Sequence, residues 1–254
     1  MTIPGNVPAS SERDPERLSR AIRNLFEGGA SSAELAAVQT AIPGAATNSV
    51  SGTAKLWTLA VLTSSNASWP VPAGTAEMIV EAWGGGGSGG GQGAGGSLTE
   101  RGAGGGAAAY GMKLHQGTMD STLNVMVGAG GAAALSTNGN NGGTTSVVGT
   151  NFGTLSVPGG SGGNRGFTSG AFGGSGGTTP TGANVAIKGG DGGVQFAFTA
   201  YFGVGGDAPR GGIGGKSAPS IAGGTPGGGG SGEINGPSSG SGAGGNGMVL
   251  IWTR

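Results

Sequence analysis

The chain has 254 residues, of which 65 are glycine, and its 12 lysine and arginine residues balance 12 aspartate and glutamate residues. The balanced charge argues against nucleic acid as the main partner, because phosphate binding requires clustered basic residues. Cysteine is absent, which excludes disulfides and thiolate metal sites.

The glycine content calls for a structural explanation, since an average protein contains about 7% glycine. Glycine loses more conformational freedom on folding than any other residue, so dense backbone hydrogen bonding must offset that loss. Disordered chains combine low hydrophobicity with high net charge, whereas this chain is 35% hydrophobic and formally neutral. We therefore expect the glycines to belong to an ordered fold.

No stretch supplies the roughly 20 apolar residues of a membrane-spanning helix, so membrane insertion is not expected. Residues 1–13 lack the apolar core of a signal peptide. If the protein works outside a cell, we expect it to leave as part of an assembly or by lysis.

Residues 1–48 are predicted to form two amphipathic helices. The first begins at Asp14-Pro15, a favourable start for a helix, and the second follows a capping-box pattern at residues 31–34. Two short helices cannot bury both apolar stripes alone, so we expect a docking or oligomerisation segment, with a local helical hairpin as the alternative. The stripes consist of Leu18, Ile22, Leu25 and Phe26, followed by Leu35, Val38 and Ile42.

Residues 49–75 are predicted to be an extended linker and entry strand, and residues 76–254 a glycine-rich β domain. Leu123, Val125 and Val127 alternate with other residues, which indicates a strand with one buried face. The apolar run at 248–252 mirrors the run at 79–83, so these two strands are expected to pair. The β-branched and aromatic content predicts strands at 78–83, 107–114, 121–127, 144–148 and 248–252, and a further one at 194–204.

Long glycine blocks lie between these strands, and loops of such length are uncommon unless they are functional or disordered. A polyproline II helix has three residues per turn and no internal hydrogen bonds, so glycine chains in this form can bond to neighbours on several sides. The absence of a strict three-residue glycine repeat argues against collagen. We predict a bundle of polyglycine II helices formed by residues 84–106, 128–143, 158–193 and 203–247.

Four aromatic residues fall within residues 196–202, although aromatics make up only 5% of the chain. Phe196, Phe198 and Phe202 share one parity, which is typical of a core strand. The alternative is an exposed tip that binds a receptor, because aromatic side chains give large contact area at low entropic cost. The isolated Phe167 and Phe172 would belong to the same tip. The receptor-binding candidates are Phe167, Phe172, Phe196, Phe198, Tyr201 and Phe202.

No catalytic residue, metal site or cofactor is expected. His115 is the only histidine and has no constellation of carboxylates around it in the sequence. Asp191 lies in a single GGDGG motif, whereas calcium-binding repeat loops need successive copies. The glycines after Trp83 are not followed by the helix that a dinucleotide-binding turn requires. We therefore predict that the protein is not an enzyme.

Several motifs in order resemble the glycine-rich domain of phage tail proteins over residues 69–254. The glycine-rich, TNF-like region of some receptor kinases is similar. The resemblance implies a jelly-roll or TNF-like β-sandwich with polyglycine II insertions, and a place in a phage tail or fibre. The motifs are WPVPAG at 69–74, IVEAWGGGG at 79–87, YG at 110–111, VMVGAGG at 125–131, GGTTSV at 142–147 and GMVLIW at 247–252.

The expected function is that of a structural virion protein, a tail fibre or tail tip component assembled in the host cytoplasm. Its partners would be a host surface receptor, either sugar or protein, and other virion proteins that contact residues 1–48. By resemblance to fibres, a homotrimer is expected. The main alternative is a head decoration or cementing protein that binds no receptor, and a bacterial surface adhesin is a third interpretation.

Overall fold

The computed structural model describes residues 56–93, 100–167, 169–196, 203–216, 220–233 and 240–254. All of them belong to one compact unit, Leu56–Arg254. The predicted helices of residues 1–48, with every docking candidate from Leu18 to Ile42, lie outside the described residues. Within the described ranges, no helix is long and apolar enough to cross a membrane.

Nine strands form where apolar residues alternate with polar ones, because β-branched and aromatic side chains suit a half-buried pleated surface. This confirms the predicted mainly β fold class. The strands are β1 (Thr58–Leu62), β2 (Asn66–Pro70), β3 (Glu77–Trp83), β4 (Tyr110–Gln116), β5 (Thr122–Met126), β6 (Thr145–Gly149), β7 (Gly153–Val157), β8 (Val185–Ile187) and β9 (Met248–Thr253).

The strands form two antiparallel sheets. The first has five strands in the order β1-β9-β3-β4-β8, and the second has four in the order β2-β5-β6-β7. Strand β3 pairs with β9 in the register Ile79↔Trp252, which confirms the predicted pairing of the opening and closing apolar runs. The chain therefore begins and ends the sandwich in neighbouring strands.

The hydrophobic core lies between the two sheets. Met78 and Val80 of β3 and Ile251 of β9 face Leu123 and Val125 of β5 in one buried cluster. In β5 only alternate residues are buried, which confirms the one-sided strand that the alternation predicted. The two sheets therefore form a β-sandwich.

The structure corrects several predicted strand boundaries. Strand β4 begins at Tyr110, and residues 107–109 instead continue a glycine-rich segment whose amides bond to other such segments. The sequence patterns do not predict β7 and β8. The sequence of β7, GTLSV, is short and lies beside a glycine block, and β8 has only three residues. Residues 58–70, from the predicted linker and entry strand, form β1 and β2.

The glycine-rich segments all leave the sandwich at the same end. Trp83, the last residue of β3, pairs with the first residues of β4 and β9, and in the second sheet Thr145 of β6 pairs with Val157 of β7. Glycines follow or precede each of these strand ends. The segments therefore extend side by side from one edge of the sandwich as a separate layer of structure.

Residues 84–93 show the three-residue rotation of a polyglycine II helix. Successive amides point to three different neighbouring segments, and every third amide returns to the same neighbour three residues further along. This period matches three residues per turn and confirms the predicted polyglycine II structure. In chain order, residues 85 to 90 donate to the carbonyls of Gly143, Gly245, Gly106, Asn140, Gly242 and Ala103 at 2.8–3.0 Å.

Six neighbours surround this central segment, because its carbonyls accept from further segments between the three directions of its amides. Residues 102–109 have six neighbours in the same way. Both segments are therefore bonded in all directions perpendicular to their axes. For residues 84–93, the amides bond to 137–143, 242–245 and 100–106, and the carbonyls accept from 160–166, 230–233 and Gly131.

Glycine is required at the centre because the backbones touch. A Cβ atom added to Gly89 would lie 2.0 Å from the carbonyl oxygen of Ser231. A Cβ added to Gly86 would lie 2.0 Å from the carbonyl oxygen of Gly228. These separations are far below van der Waals contact, so a side chain could enter only if whole segments moved apart.

Candidate functional site

The end of the polyglycine bundle that lies away from the sandwich, called here the far end, is the candidate site. A rise of about 3.1 Å per residue carries residues 84–93 roughly 28 Å away from β3. At the far end Gly91 donates to Thr137 at 2.8 Å and accepts from Gly166 at 3.0 Å. Gly93 donates to Glu100 at 3.0 Å, where the chain returns.

Phe172 and Phe196 are brought together at the far end by an isolated antiparallel bridge. Ala171 and Gln195 exchange backbone hydrogen bonds of 2.9 and 2.8 Å, and both residues are buried. Side chains alternate across an extended chain, so the residues beside this pair face solvent. The register of the bridge places Phe172 opposite Val194 and Phe196 opposite Gly170, all on one side of the two segments. Phe172 is 74% exposed, Phe196 67% and Val194 45%.

Phe167 lies four residues before Ala171 of the bridge, and a positively charged side chain lies over its ring. Its side chain is 45% exposed, and the guanidinium of Arg165 lies 4.9 Å from the ring centroid. The backbone is held on both sides, since Arg165 N donates to Asn138 Oδ1 at 2.8 Å and Gly170 N donates to the Phe167 carbonyl at 2.9 Å. A cation over an aromatic face is attracted by the ring quadrupole.

The receptor-binding candidates divide into two groups. Phe167, Phe172 and Phe196 lie at the far end with exposed side chains, whereas Phe198, Tyr201 and Phe202 lie outside the described residues. The predicted strand at 194–204 is described only for 194–196, where Gln195 is buried and its neighbours are exposed. Phe196 is therefore exposed and does not belong to a core strand, while receptor binding by this residue stays a prediction.

A buried carboxylate that no sequence motif predicted supports the far end. Glu233 has no solvent exposure, and its side chain accepts hydrogen bonds from Gln92 N at 2.8 Å and Gly240 N at 3.1 Å. The carboxylate oxygens accept from backbone amides that would otherwise bond to the carbonyls of a neighbouring glycine segment. An acidic residue at the end of a glycine block was the only available signal.

Asp191, Lys216 and His115 each make polar contacts within the chain. Asp191 Oδ1 accepts from Gly176 N at 2.8 Å, so it ties two glycine segments together. Lys216 pairs with Asp207 at 2.7 Å, and the pKa of Asp207 is lowered by that contact. His115 bonds to the Thr118 carbonyl. Among the described residues, no three acidic or histidine side chains lie close enough to hold a metal ion.

One comparison with known protein families finds a match. A family model described as "Glycine-rich domain" matches residues 62–254. That range covers more than half of the chain and contains eight of the nine strands in full. No curated protein matches the chain significantly. The chain therefore belongs to the glycine-rich domain family.

Proposed function

We propose that this glycine-rich domain protein is a structural component of a bacteriophage particle, a tail fibre or tail tip protein that binds the host surface. The far end of the polyglycine bundle would be the binding surface, with Phe167, Phe172 and Phe196 as contact residues. Residues 1–48 would attach the protein to other virion proteins. The phage assignment rests on the resemblance of residues 69–254 to phage tail domains.

One observation supports the binding role: the side chains of Phe172 and Phe196 are exposed, whereas the residues next to them in the chain are buried. Both side chains are mostly exposed, yet Ala171 and Gln195 between them are buried and doubly hydrogen bonded. Exposed aromatic groups on a rigid support lose little entropy on binding, and aromatic anchors contribute disproportionately to protein interfaces. A merely structural end of the bundle would gain nothing from two large exposed apolar side chains.

The location is tested by immunogold labelling of intact particles with an antibody against residues 69–254, viewed by electron microscopy. Label at the distal tail or fibres is the expected result. Label across the head would replace the proposal with the decoration role. Absence of label from all particles would remove the virion assignment.

The contact residues are tested by competition, in which purified protein blocks phage adsorption to host cells. We expect Phe172→Ser/Phe196→Ser to lose most of its blocking activity, at least about tenfold, because hot-spot aromatics dominate interface energies. Ile213→Ser is the matched control, since Ile213 is 65% exposed and lies near the sandwich, where Gly212 and Ala108 bond to Pro226 and Gly227. Equal blocking by wild type and the double variant would contradict binding at the far end.

The attachment role of residues 1–48 is tested by deleting them from the phage-encoded protein. We expect a glycine-rich domain that still unfolds cooperatively in a thermal melt but no longer enters particles. Homotrimer formation through the same segment would be lost together with incorporation. Normal incorporation of the truncated protein would show that the docking surface lies elsewhere.

A further inference from the structure

The five-stranded sheet has one side that does not face the core, called here the outer face. The inward residues of this sheet, such as Met78, Val80 and Ile251, belong to the core cluster, so the residues that alternate with them form the outer face. One cross-strand row runs Leu59–Trp252–Ile79–Leu114. All four of these residues are apolar or aromatic.

A second row of the outer face runs Val61–Leu250–Glu81–Met112–Val185. It contains a single charged residue among four apolar ones. In the third row Trp83 and Tyr110 are buried. The indole of Trp83 donates to the Pro209 carbonyl at 2.8 Å, so a loop covers this row on the side of the polyglycine bundle. The first two rows remain open except around Glu81, which Arg210 approaches from the same loop.

The open part of the outer face is comparable with the largest apolar patches of soluble monomers. Its most exposed apolar residues are Leu59, Val61, Leu114 and Val185, with 40–56% exposure. Two rows across five strands spaced about 4.8 Å apart present on the order of 300 Å². Patches of about 300–600 Å² are the largest that typical monomers expose, and they are often functional.

The solvent side of the four-stranded sheet is less apolar than the outer face. On its solvent side, Asn124 of β5 and Ser146 of β6 alternate with Met126 and Val148. Polar and apolar groups are mixed there, as is usual for a sheet that faces water on one side. The apolar rows therefore belong to the five-stranded sheet specifically and are not a general property of this sandwich.

The charged groups of the outer face are neutralised within the chain. The Glu81 carboxylate accepts from the Tyr110 hydroxyl at 2.7 Å and from the Trp252 indole at 3.2 Å, and Arg210 lies 3.8 Å away. Glu77 forms an ion pair with Arg254. The face therefore offers a partner apolar surface without a net charge of either sign.

We propose that the outer face is covered by the same face of a second copy of this chain. A twofold contact requires a patch that is complementary to itself, and an apolar, internally neutralised sheet face meets that condition. A partner recognised by charge would find no unpaired group among Glu77, Glu81, Arg210 and Arg254. Two sheets can pack face to face about 10 Å apart, as they do inside sandwiches.

The size of the face sets the strength of this contact. Two copies would together bury on the order of 600 Å², which is below the roughly 1,000 Å² of a stable interface and corresponds to a weak, transient contact. We expect reversible association with a dissociation constant of about 100 µM. The contact is separate from the attachment proposed for residues 1–48 and does not depend on the far end.

The test is sedimentation velocity of the full-length protein from about 1 to about 200 µM, a range that brackets the expected dissociation constant. The face variant is Val61→Lys/Val185→Lys, at positions 56% and 40% exposed. Its matched control is Met126→Lys/Val148→Lys on the outer side of the other sheet, at positions 55% and 40% exposed. Val185→Lys alone, on the short edge strand β8, is the milder face variant if the double change impairs folding.

We expect wild type and the control to associate alike, and the face variant to require at least about tenfold higher concentration, because two buried lysines would lack counter-charges. Equal thermal midpoints of the two double variants would show that folding is unaffected. An association profile of the face variants that superimposes on wild type overturns the proposal. The face would then belong to a different occupant, either residues 1–55 of the same chain or another protein.

Discussion

The β-sandwich and the polyglycine bundle satisfy their backbones in the same way but bury opposite parts of the chain. In the sandwich, side chains such as Met78 and Leu123 fill the space between two sheets, and each backbone bonds to neighbours within one plane. In the bundle, segments such as residues 84–93 have neighbours on six sides, and backbone packs directly on backbone. One unit therefore contains two kinds of core.

This difference explains why a chain so rich in glycine folds. A glycine-rich core gains little from side-chain burial, and its large conformational entropy loss must be offset elsewhere. Bonding in three directions lets each amide and carbonyl find a partner without water. The sandwich, in contrast, is stabilised by roughly 25 cal/mol for each Å² of apolar surface that it buries.

The largest effect should come from adding one carbon to the bundle. Gly89→Ala would place a Cβ 2.0 Å from the Ser231 carbonyl oxygen, and we expect a loss above about 3 kcal/mol in unfolding free energy, because backbone cannot relax like a side chain. The control is Gly74→Ala, a turn position with φ +79° and no atom within 4 Å of the added Cβ. It should cost about 1–2 kcal/mol for its left-handed backbone. Chemical denaturation measures both, and equal losses would mean that the bundle is loosely packed.

Removing one carbon from the sandwich should have a smaller effect. Ile251 is fully buried between the sheets, and Ile251→Val should lower the unfolding free energy by about 1 kcal/mol, the usual result of deleting a buried methyl group. The same denaturation experiment applies. A loss as large as that of Gly89→Ala would remove the distinction between a core of side chains and a core of backbone.

The boundary between the two regions can be probed with pH. Burial, and secondarily the hydrogen bond to Glu81, raises the pKa of Tyr110 to about 12 from 10.0. A raised folded-state pKa gives stability that is complete below pH 10 and lost as the pH rises through 12. Wild type should therefore lose unfolding free energy across this window relative to Tyr110→Phe. At neutral pH, Tyr110→Phe should have an unfolding free energy about 1 kcal/mol below that of wild type, because it lacks the hydrogen bond to Glu81. Parallel pH profiles of the two proteins would contradict a raised pKa of Tyr110.

The smallest effect is expected at the end of the sandwich away from the bundle. Burial acts to raise the pKa of Asp120, but hydrogen bonds from the backbone amides of Asn151 and Phe152 outweigh it and lower the pKa below 3.8. A lowered pKa gives stability that is present above pH 3.8 and lost as the pH falls through the folded value. Asp120→Asn should cost less than about 1 kcal/mol at pH 7, because solvent screens the partly exposed carboxylate. The difference from wild type should vanish at low pH, as thermal melts would show.

Sequence reasoning succeeded where a pattern acts locally. The alternation at Leu123 and Val125 correctly predicted a one-sided strand, and the matching runs at 79–83 and 248–252 correctly predicted a strand pair. The glycine blocks correctly predicted polyglycine II helices. Strand β7 was missed because its five residues give too short a pattern to separate from the glycines on either side.

The candidate site was predicted in part for the same reason. The isolated Phe167 and Phe172 stood out among glycines as exposed residues, and both are exposed. The proximity of Phe172 to Phe196 depends on the bridge between Ala171 and Gln195, which no local pattern encodes. The burial of Glu233 depends on contacts with Gln92 and Gly240 at segment ends.

What the sequence determined by itself is the type of structure over most of the described residues: strands where apolar residues alternate, and polyglycine II where side chains are absent. These are local consequences of the presence or absence of Cβ atoms. Only the tertiary structure decided which segments are neighbours, as in the bond from Gly86 to Gly245, and that the five-stranded sheet leaves its apolar rows open. The physical reason is that nearly identical glycine segments carry no information about their partners, so the strand order of the sandwich sets where each one lies.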